Sequence, residues 1–238
     1  MEKNNLTQYR EGLHDGIPIG LGYFAVSFTF GIAAVDGGMK VLNAVLISAS
    51  NLTSAGQFAA LDIIFGDGSL LELALTQLII NLRYCLMSFT LAQKIDDGGN
   101  IAHRFLVAFG VTDEIFGISS SRSGSLSPYY SYGAMTCAIP GWTLGTLFGA
   151  VLGNILPDSF MSALSVAIYG MFLAIIIPPA RKDNTIAMVV LGAMGLSALF
   201  RYAPLLSNIS SGMVIIIVTV LVAGAAAWLS PISQEEES

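Results

Sequence analysis

The chain has 238 residues, of which 54% are hydrophobic and only 11% are charged, and its mean hydropathy is +0.73. Soluble domains carry about 25% charged residues, so this composition leaves too few charges to cover a surface that faces water. The formal net charge is −6, and the sequence contains no cluster of basic residues. Both features argue against a nucleic-acid partner. The composition therefore predicts an integral membrane protein that is surrounded by the lipid bilayer.

The order of apolar and polar stretches predicts an all-α polytopic membrane protein. A polar segment (1–15) comes first, a single transmembrane domain (16–230) follows, and an acidic tail (231–238) comes last. Apolar stretches long enough to cross the hydrocarbon layer lie at 16–35, 41–65, 70–93, 130–155, 160–177, 185–200 and 211–229.

An eighth apolar stretch, 105–118, would reach only about 21 Å as a helix, whereas the hydrocarbon layer is about 30 Å thick. If this stretch re-enters instead of crossing, six loop cations fall on one side, which fits the positive-inside rule better and places the amino terminus outside: Lys40, Lys94, Arg104, Arg122, Arg181 and Lys182. The sequence thus predicts seven to eight transmembrane segments, with broken or re-entrant helices among them. A short sequence similarity between residues 30–33 and 148–151 is compatible with two repeated halves.

The first span carries Pro18 and several glycines, among them Gly20, Gly22 and Gly31. Glycine at this density permits either close contact between helices or a local break in the helix. For any one of these glycines we favour the packing interpretation.

The second span contains an unusually polar stretch. Five of the eight residues from 50 to 57 carry a hydroxyl or an amide group: Ser50, Asn51, Thr53, Ser54 and Gln57. An unpaired group of this kind costs several kcal/mol, roughly, in hydrocarbon. On a continuous helix four of them would share one face, whereas a break near Gly56 would leave two half-helices whose ends point at a ligand. Such residues could serve helix association alone, but their density favours a binding site.

The third span carries two polar faces. One of them holds Gln77, Asn81, Tyr84 and Ser88, and the other holds Glu72, Thr76 and Arg83. Arg83 lies about 13 Å from the nearer end of the helix, which is too deep for easy contact with water. A buried arginine is costly unless it has an acidic partner. That partner must come from another helix or from a substrate.

The short stretch at 105–118 supplies two adjacent acids, Asp113 and Glu114. Two carboxylates in a poorly solvated place repel each other, so one of them is a candidate to carry protons. The same pair could instead mark a helix end at the water boundary, and the sequence leaves both interpretations open.

Enzymatic function is disfavoured by the residue pattern. His14 and His103 both fall outside the predicted spans, so neither can pair with a serine inside the membrane. The chain contains no H-E-x-x-H, P-loop or dinucleotide motif, and its two cysteines lack metal-ligand spacing. We therefore expect a protein that is not an enzyme and that uses no cofactor and no metal.

Four short landmarks follow one another along the first half of the chain: Gly16-Ile-Pro18 with Gly22-Tyr23, Ser54-Ala-Gly-Gln-Phe58, Asn81-Leu-Arg-Tyr84 and Thr112-Asp-Glu114. In order and spacing they resemble the large subunit of the AzlC-type branched-chain amino acid exporter family. The resemblance covers nearly the whole chain, although residues after 125 match in character more than in motif. Tyr84 stands where many relatives carry a histidine, so a proton-handling role for that position is not implied here.

The resemblance implies a multi-pass protein of a prokaryotic inner (plasma) membrane that exports branched-chain and related neutral amino acids. It also implies coupling to the proton gradient and a small AzlD-type membrane partner. Residues 50–57, 77–88 and 112–114 are then expected to line the path. The substrate-binding candidates are Asn51, Thr53, Ser54, Gln57, Asn81, Arg83 and Tyr84, and the proton-coupling candidates are Asp113 and Glu114.

Within that expected site, Gln57, Asn51 and Ser54 would hold the amino and carboxylate groups of the substrate, and Arg83 would act as counter-ion or gate. The alternative is a non-transporting membrane assembly or receptor subunit, in which the polar faces would serve helix association only. The predicted site requires the three stretches to meet near the middle of the membrane.

Overall fold

The computed structural model describes residues 4–96, 98, 100–153, 173, 176–177, 180–181, 183–204, 206 and 209–229. Apart from one isolated β-bridge between Ile95 and Leu126, the regular structure of these residues is helical. The helices are α1 (Asn5–Asp36), α2 (Val41–Ser50), α3 (Ser54–Phe65), α4 (Leu70–Lys94), α5 (Ile101–Phe109), α6 (Asp113–Ser120), α7 (Pro128–Leu152), α8 (Asn184–Tyr202) and α9 (Ser211–Leu229).

Among the described residues, five helices are long and apolar enough to cross a membrane, namely α1, α4, α7, α8 and α9. The all-α membrane class is therefore confirmed, whereas the expected count of seven to eight spans is not. Most of the predicted span at 160–177 and all of the acidic tail at 231–238 lie outside the described residues. The polar residues from Asn5 onward form the first turns of α1.

The described chain divides into two compact units. The first contains residues up to 58 together with those from 80 through α7, and the second contains residues 59–79 together with α8 and α9. In the second unit, Ser69 Oγ accepts a hydrogen bond from the backbone N–H of Glu72 at 3.1 Å and so caps the start of α4. The Ser210 hydroxyl donates to the carboxylate of Glu72. The predicted sites all lie in the first unit.

Glycines bring α1 and α7 into direct backbone contact. A Cβ at Gly12 would clash with the carbonyl of Tyr130, and a Cβ at Gly20 would lie 2.7 Å from the carbonyl oxygen of Cys137. Further along both helices, a Cβ at Gly31 would lie 2.7 Å from the backbone nitrogen of Ala150. Because residue numbers rise together in the two helices, α1 and α7 run parallel. The packing interpretation is confirmed for Gly20 and Gly31 but not for Gly22, where a Cβ would meet nothing within 4 Å.

The α2–α3 pair is a hairpin that re-enters at the end of the unit where α1 ends. Within α2, Ser48 Oγ lies 2.7 Å from Thr146 Oγ1 on α7. Nine residues later, Gln57 Oε1 accepts a hydrogen bond from Trp142 Nε1. Trp142 lies one turn before Thr146 on α7, so this contact is further from the end of α7. The next residue, Phe58, packs edge-on against Phe30 of α1 with ring centroids 5.5 Å apart. Phe30 precedes Gly31, the α1 residue that lies against Thr146. The chain has therefore turned back at Phe58 toward the level of Ser48.

The α5–α6 pair is a second hairpin, which enters from the opposite end. Near its start, His103 Nδ1 lies 2.7 Å from the hydroxyl of Tyr132, close to the first turn of α7. At its far end, Lys94 Nζ donates to the carbonyls of Ser120, at 2.6 Å, and of Arg122. Both ends of the hairpin are therefore at the amino-terminal end of α7, and only its middle reaches Tyr23.

Two sequence-based expectations need correction. The stretch 41–65 is not a continuous span, because the chain breaks at residues 51–53 and reverses direction. The interpretation of 105–118 as re-entrant agrees with the structure, but the membrane sides assigned with it were wrong. Arg122 Nη2 lies 2.6 Å from Glu11 Oε2, so the loop after α6 lies at the same end as the start of α1. Within the first unit, residues 80–94 of α4 run from the first break toward the end where α1 begins, antiparallel to α1 and α7.

This topology predicts the orientation in the membrane. Among the described residues of the first unit, Arg10, Lys94, Arg104 and Arg122 lie at the end where α1 begins, and Lys40 lies at the other end. The positive-inside rule therefore places the start of α1 in the cytoplasm. In a background without Cys85 and Cys137, we expect Ser123→Cys to react with an impermeant thiol reagent only after permeabilisation, and Gly37→Cys to react in intact cells. The reverse pattern would contradict the topology.

Candidate substrate site at two helix breaks

The first helix break, at residues 51–53, is formed by side chains that compete with the helical backbone. Asn51 ends α2 in an extended conformation, and its Oδ1 accepts a hydrogen bond from the N–H of Thr53 at 3.1 Å. Asparagine, serine and threonine favour such local bonds over continued helix. At membrane depth the backbone groups that a break releases must find other partners. The break lies earlier than the position near Gly56 that the sequence suggested.

Gln57 provides those partners. Its side chain is only 1% exposed. Its Nε2 donates to the carbonyl of Asn51 at 3.0 Å and to Ser48 Oγ at 3.3 Å, while its Oε1 accepts from Trp142 Nε1 at 2.8 Å. Both amide hydrogens and the amide oxygen are therefore in use. This geometry gives Gln57 a positioning role, since it ties α2, the break and α7 together.

The second break, at residues 110–112, places two acids at the start of a half-helix. Gly110 ends α5, and a Cβ at this position would run into the side chain of Met135 on α7. Thr112 then caps α6, because its Oγ1 accepts from the N–H of Ile115 at 3.3 Å. Asp113 and Glu114 occupy the first turn, where the partial positive charge of a helix amino terminus stabilises carboxylates. The adjacent acids are thus at a helix end inside the unit.

The three predicted stretches meet at these breaks. Thr53 Oγ1 donates to Asn81 Oδ1 at 2.6 Å, which joins the first break to α4. Two residues further along α4, Arg83 Nη2 lies 3.0 Å from Asp113 Oδ2 at the second break. The expected acidic partner of Arg83 from another helix is therefore confirmed, and it is Asp113.

Aromatic side chains surround this meeting point. The ring of Tyr84 lies under the guanidinium group of Arg83, with 5.1 Å between Cζ and the ring centroid, a distance suited to a cation–π contact. Tyr23 donates its hydroxyl to Glu114 Oε2 at 2.5 Å and packs edge-on against Trp142 at 5.4 Å. Sequence reasoning did not assign Trp142, although an indole N–H inside an apolar span needs an acceptor.

The starts of the two half-helices differ in charge. The first turn of α3, which begins at Ser54, carries no acidic residue, whereas the first turn of α6 carries two. The amino-terminal N–H groups of any helix lack intrahelical partners and attract anions. The meeting point therefore offers an anion-favouring helix start, one guanidinium and two carboxylates. Together they suit a small molecule with both a positive and a negative charge.

The substrate-binding candidates differ in burial. Asn51 is exposed, Ser54, Asn81 and Tyr84 are half-buried, and Thr53 is buried. Among the described residues, no group of three or more His, Cys, Asp or Glu side chains could hold a metal ion.

Apolar helices long enough to span a bilayer, together with one broken hairpin that carries uncharged polar groups and a second that carries two acids, define a multi-pass membrane protein with an internal polar site. The chain belongs to the AzlC family, because the family model described as AzlC protein matches residues 18–156, a range that includes both breaks.

Several relatives are similar over most of their length. An uncharacterised membrane protein of Archaeoglobus fulgidus is 31% identical over 79% of this chain and 84% of its own. The inner membrane protein YgaZ of Escherichia coli is 25% identical over 81% of this chain and 82% of its own. An uncharacterised membrane protein of Helicobacter pylori is 24% identical over 63% of this chain and 66% of its own. No solved structure matches the chain.

Proposed function

We propose that this chain is the substrate-carrying subunit of a secondary transporter that exports branched-chain or related neutral amino acids. The transporter works in the inner (plasma) membrane of a prokaryote, beside a small AzlD-type membrane subunit, and it draws on the proton gradient. The observation that carries the proposal is the meeting of both helix breaks around the Arg83–Asp113 ion pair.

The charge pattern supports a zwitterionic substrate. A neutral amino acid carries one carboxylate and one ammonium group, and the site offers a matching cation and matching anions within a few ångströms of each other. Ion pairs inside a membrane protein are costly to build and mark functional sites more often than structural ones. If these groups served helix association only, the Arg83–Asp113 pair would need no second carboxylate beside it such as that of Glu114.

The aromatic surroundings support an apolar substrate side chain. Tyr23, Tyr84 and Trp142 lie around the charged groups, and Phe30 packs with Phe58 beside the first hairpin. Aromatic rings contribute large apolar contact areas. A leucine-sized side chain fits this environment better than a polar one.

Asp113 and Glu114 are the proposed proton-coupling residues. Their carboxylates are neighbours, and among the described residues only that of Asp113 is paired with a cation. Glu114 is held by the hydroxyl of Tyr23 instead. In the proposed cycle, protonation of one of the two carboxylates relieves the repulsion between Asp113 and Glu114 as a substrate enters or leaves.

The test is exchange of labelled leucine in vesicles that hold the full chain with and without a small AzlD-type subunit. We expect saturable exchange that is inhibited by other branched-chain amino acids and that responds to an imposed pH gradient. Absence of saturable exchange for every neutral amino acid would overturn the proposal.

The alternative, a non-transporting assembly or receptor subunit, is favoured by one observation: every polar atom of Gln57 is used within the chain. Alanine substitution of Arg83 separates the two functions. Under the transport proposal Arg83→Ala loses exchange while the protein still assembles, whereas under the alternative assembly itself fails.

A further inference from the structure

Arg83 has an unused hydrogen-bonding edge at the meeting point of the two breaks. Its Nη2 contacts Asp113 Oδ2 at 3.0 Å and Tyr84 Oη at 3.5 Å. Its Nε is buried and has no hydrogen-bond partner among the described residues. A buried N–H without an acceptor is rare in native proteins and calls for a missing partner.

The covalent geometry of the guanidinium group indicates what that partner is. The N–H of Nε and one N–H of Nη2 point in the same direction, and the pair matches the two oxygens of a single carboxylate. In the structure Asp113 Oδ2 lies against Nη2, and Nε has no partner among the described residues. A carboxylate placed across Nε and Nη2 would satisfy the orphaned donor and displace Asp113 from Nη2.

The ion pair is partly exposed, although Arg83 Nε itself is buried. The side chain of Arg83 is 40% exposed and that of Asp113 is 22% exposed. The ring of Tyr84 against the guanidinium group restrains the orientation of its plane. The edge is therefore oriented by the protein before a ligand arrives, which lowers the entropic cost of binding.

We propose that Arg83 selects substrates by their free α-carboxylate, which bridges Nε and Nη2, while the displaced Asp113 takes the substrate's α-ammonium group. The inference rests on the proposed function as a neutral amino acid transporter and assigns the orientation of the substrate in that site. No covalent bond forms or breaks, and one internal ion pair is replaced by two ion pairs with the zwitterion.

Charge balance explains why a neutral amino acid suits this exchange. Arg83 and Asp113 together carry no net charge, and a zwitterion adds none, so the occupied pair stays balanced. A substrate with an extra carboxylate would add a further negative charge beside Glu114 in a partly buried place. The same reasoning excludes analogues that lack either charged group, because one partner of the opened pair would then be left alone.

Competition by substrate analogues on the wild-type protein tests the proposal without any mutation. In vesicles that exchange labelled leucine, we expect leucine amide, which lacks the carboxylate, to compete at least about ten-fold more weakly than leucine, the scale of a lost charged hydrogen bond. The 2-oxo acid analogue, which lacks the ammonium group, should be weaker by a similar factor. Equal competition by leucine amide would overturn the proposal while leaving the transport function intact.

A matched pair of arginine variants provides a second measurement. Lysine keeps the charge but cannot bind both carboxylate oxygens along one planar edge. We expect Arg83→Lys to raise the half-saturating leucine concentration about ten-fold or more. Arg104→Lys, at an exposed position on α5, should leave it unchanged. An unchanged half-saturating concentration in Arg83→Lys would contradict the assignment, whereas absence of exchange in the wild type would contradict the proposed function.

Discussion

Replacing Gly20 by valine is expected to prevent normal folding of the first unit. A Cβ at Gly20 would lie 2.7 Å from the carbonyl oxygen of Cys137 and 3.0 Å from its carbonyl carbon. Backbone atoms cannot move aside as a flexible side chain can, so α1 and α7 would have to separate along their length. Overpacking of this kind costs about 2 kcal/mol or more. The measurement is the yield of monodisperse protein after detergent extraction, together with its thermal unfolding midpoint.

Gly22 is the matched control for this prediction. It lies two residues away on the same helix, and a Cβ there would meet nothing within 4 Å. Gly22→Val should therefore extract and unfold like the wild type. If both variants behave alike, the close contact of α1 with α7 is wrong, and so is the parallel arrangement that orients the two hairpins.

Replacing Gln57 by leucine is the second change with a large expected effect. Leucine has a similar size but would leave Trp142 Nε1 and the carbonyl of Asn51 without the partners they have now. Each buried polar group that loses its partner costs about 1–3 kcal/mol. We expect the unfolding free energy to fall by about 2 kcal/mol or more, and leucine exchange to be lost with it.

Two further variants show whether the effect comes from losing the contacts that Gln57 makes at the first break or from replacing any glutamine by leucine. Trp142→Phe removes the indole donor and part of the buried ring but keeps the bonds from Gln57 to Asn51 and Ser48, so it should retain the first break. Gln93→Leu, at an exposed position near the end of α4, should have no measurable effect. Wild-type stability in Gln57→Leu would show that Gln57 does not hold the first break.

The sequence predicted which polar stretches meet more directly than the path of the chain through the membrane. The density of polar residues from 50 to 57 indicated an irregular stretch, and a helix break lies there. The depth of Arg83 required an acid from elsewhere, and Asp113 is that acid. Both inferences depend on the high cost of unpaired polar groups in hydrocarbon, which is a local property that a sequence displays.

The reversal at Asn51 could not be predicted in the same way. The apolar length of 41–65 is compatible with either one crossing helix or two half-helices, because hydropathy measures composition and not direction. What decides is a tertiary contact: Gln57 replaces the backbone partners that the break removes, and one of its own partners, Trp142, lies 85 residues away in sequence. The membrane sides assigned from loop charges were wrong for the same reason, since one missed reversal moves every later loop to the opposite side.

A neutral amino acid is expected to bind where the two helix breaks meet, and protection of a thiol there tests this claim. Ser54→Cys, in a background without Cys85 and Cys137, places a single thiol at the start of α3. In vesicles holding the full chain and the proposed small subunit, leucine at ten times its half-saturating concentration should slow modification of this thiol by a small hydrophilic reagent about ten-fold. The same leucine should leave Ser123→Cys unaffected. Unchanged modification of the thiol at position 54, in vesicles that do exchange leucine, would contradict the claim.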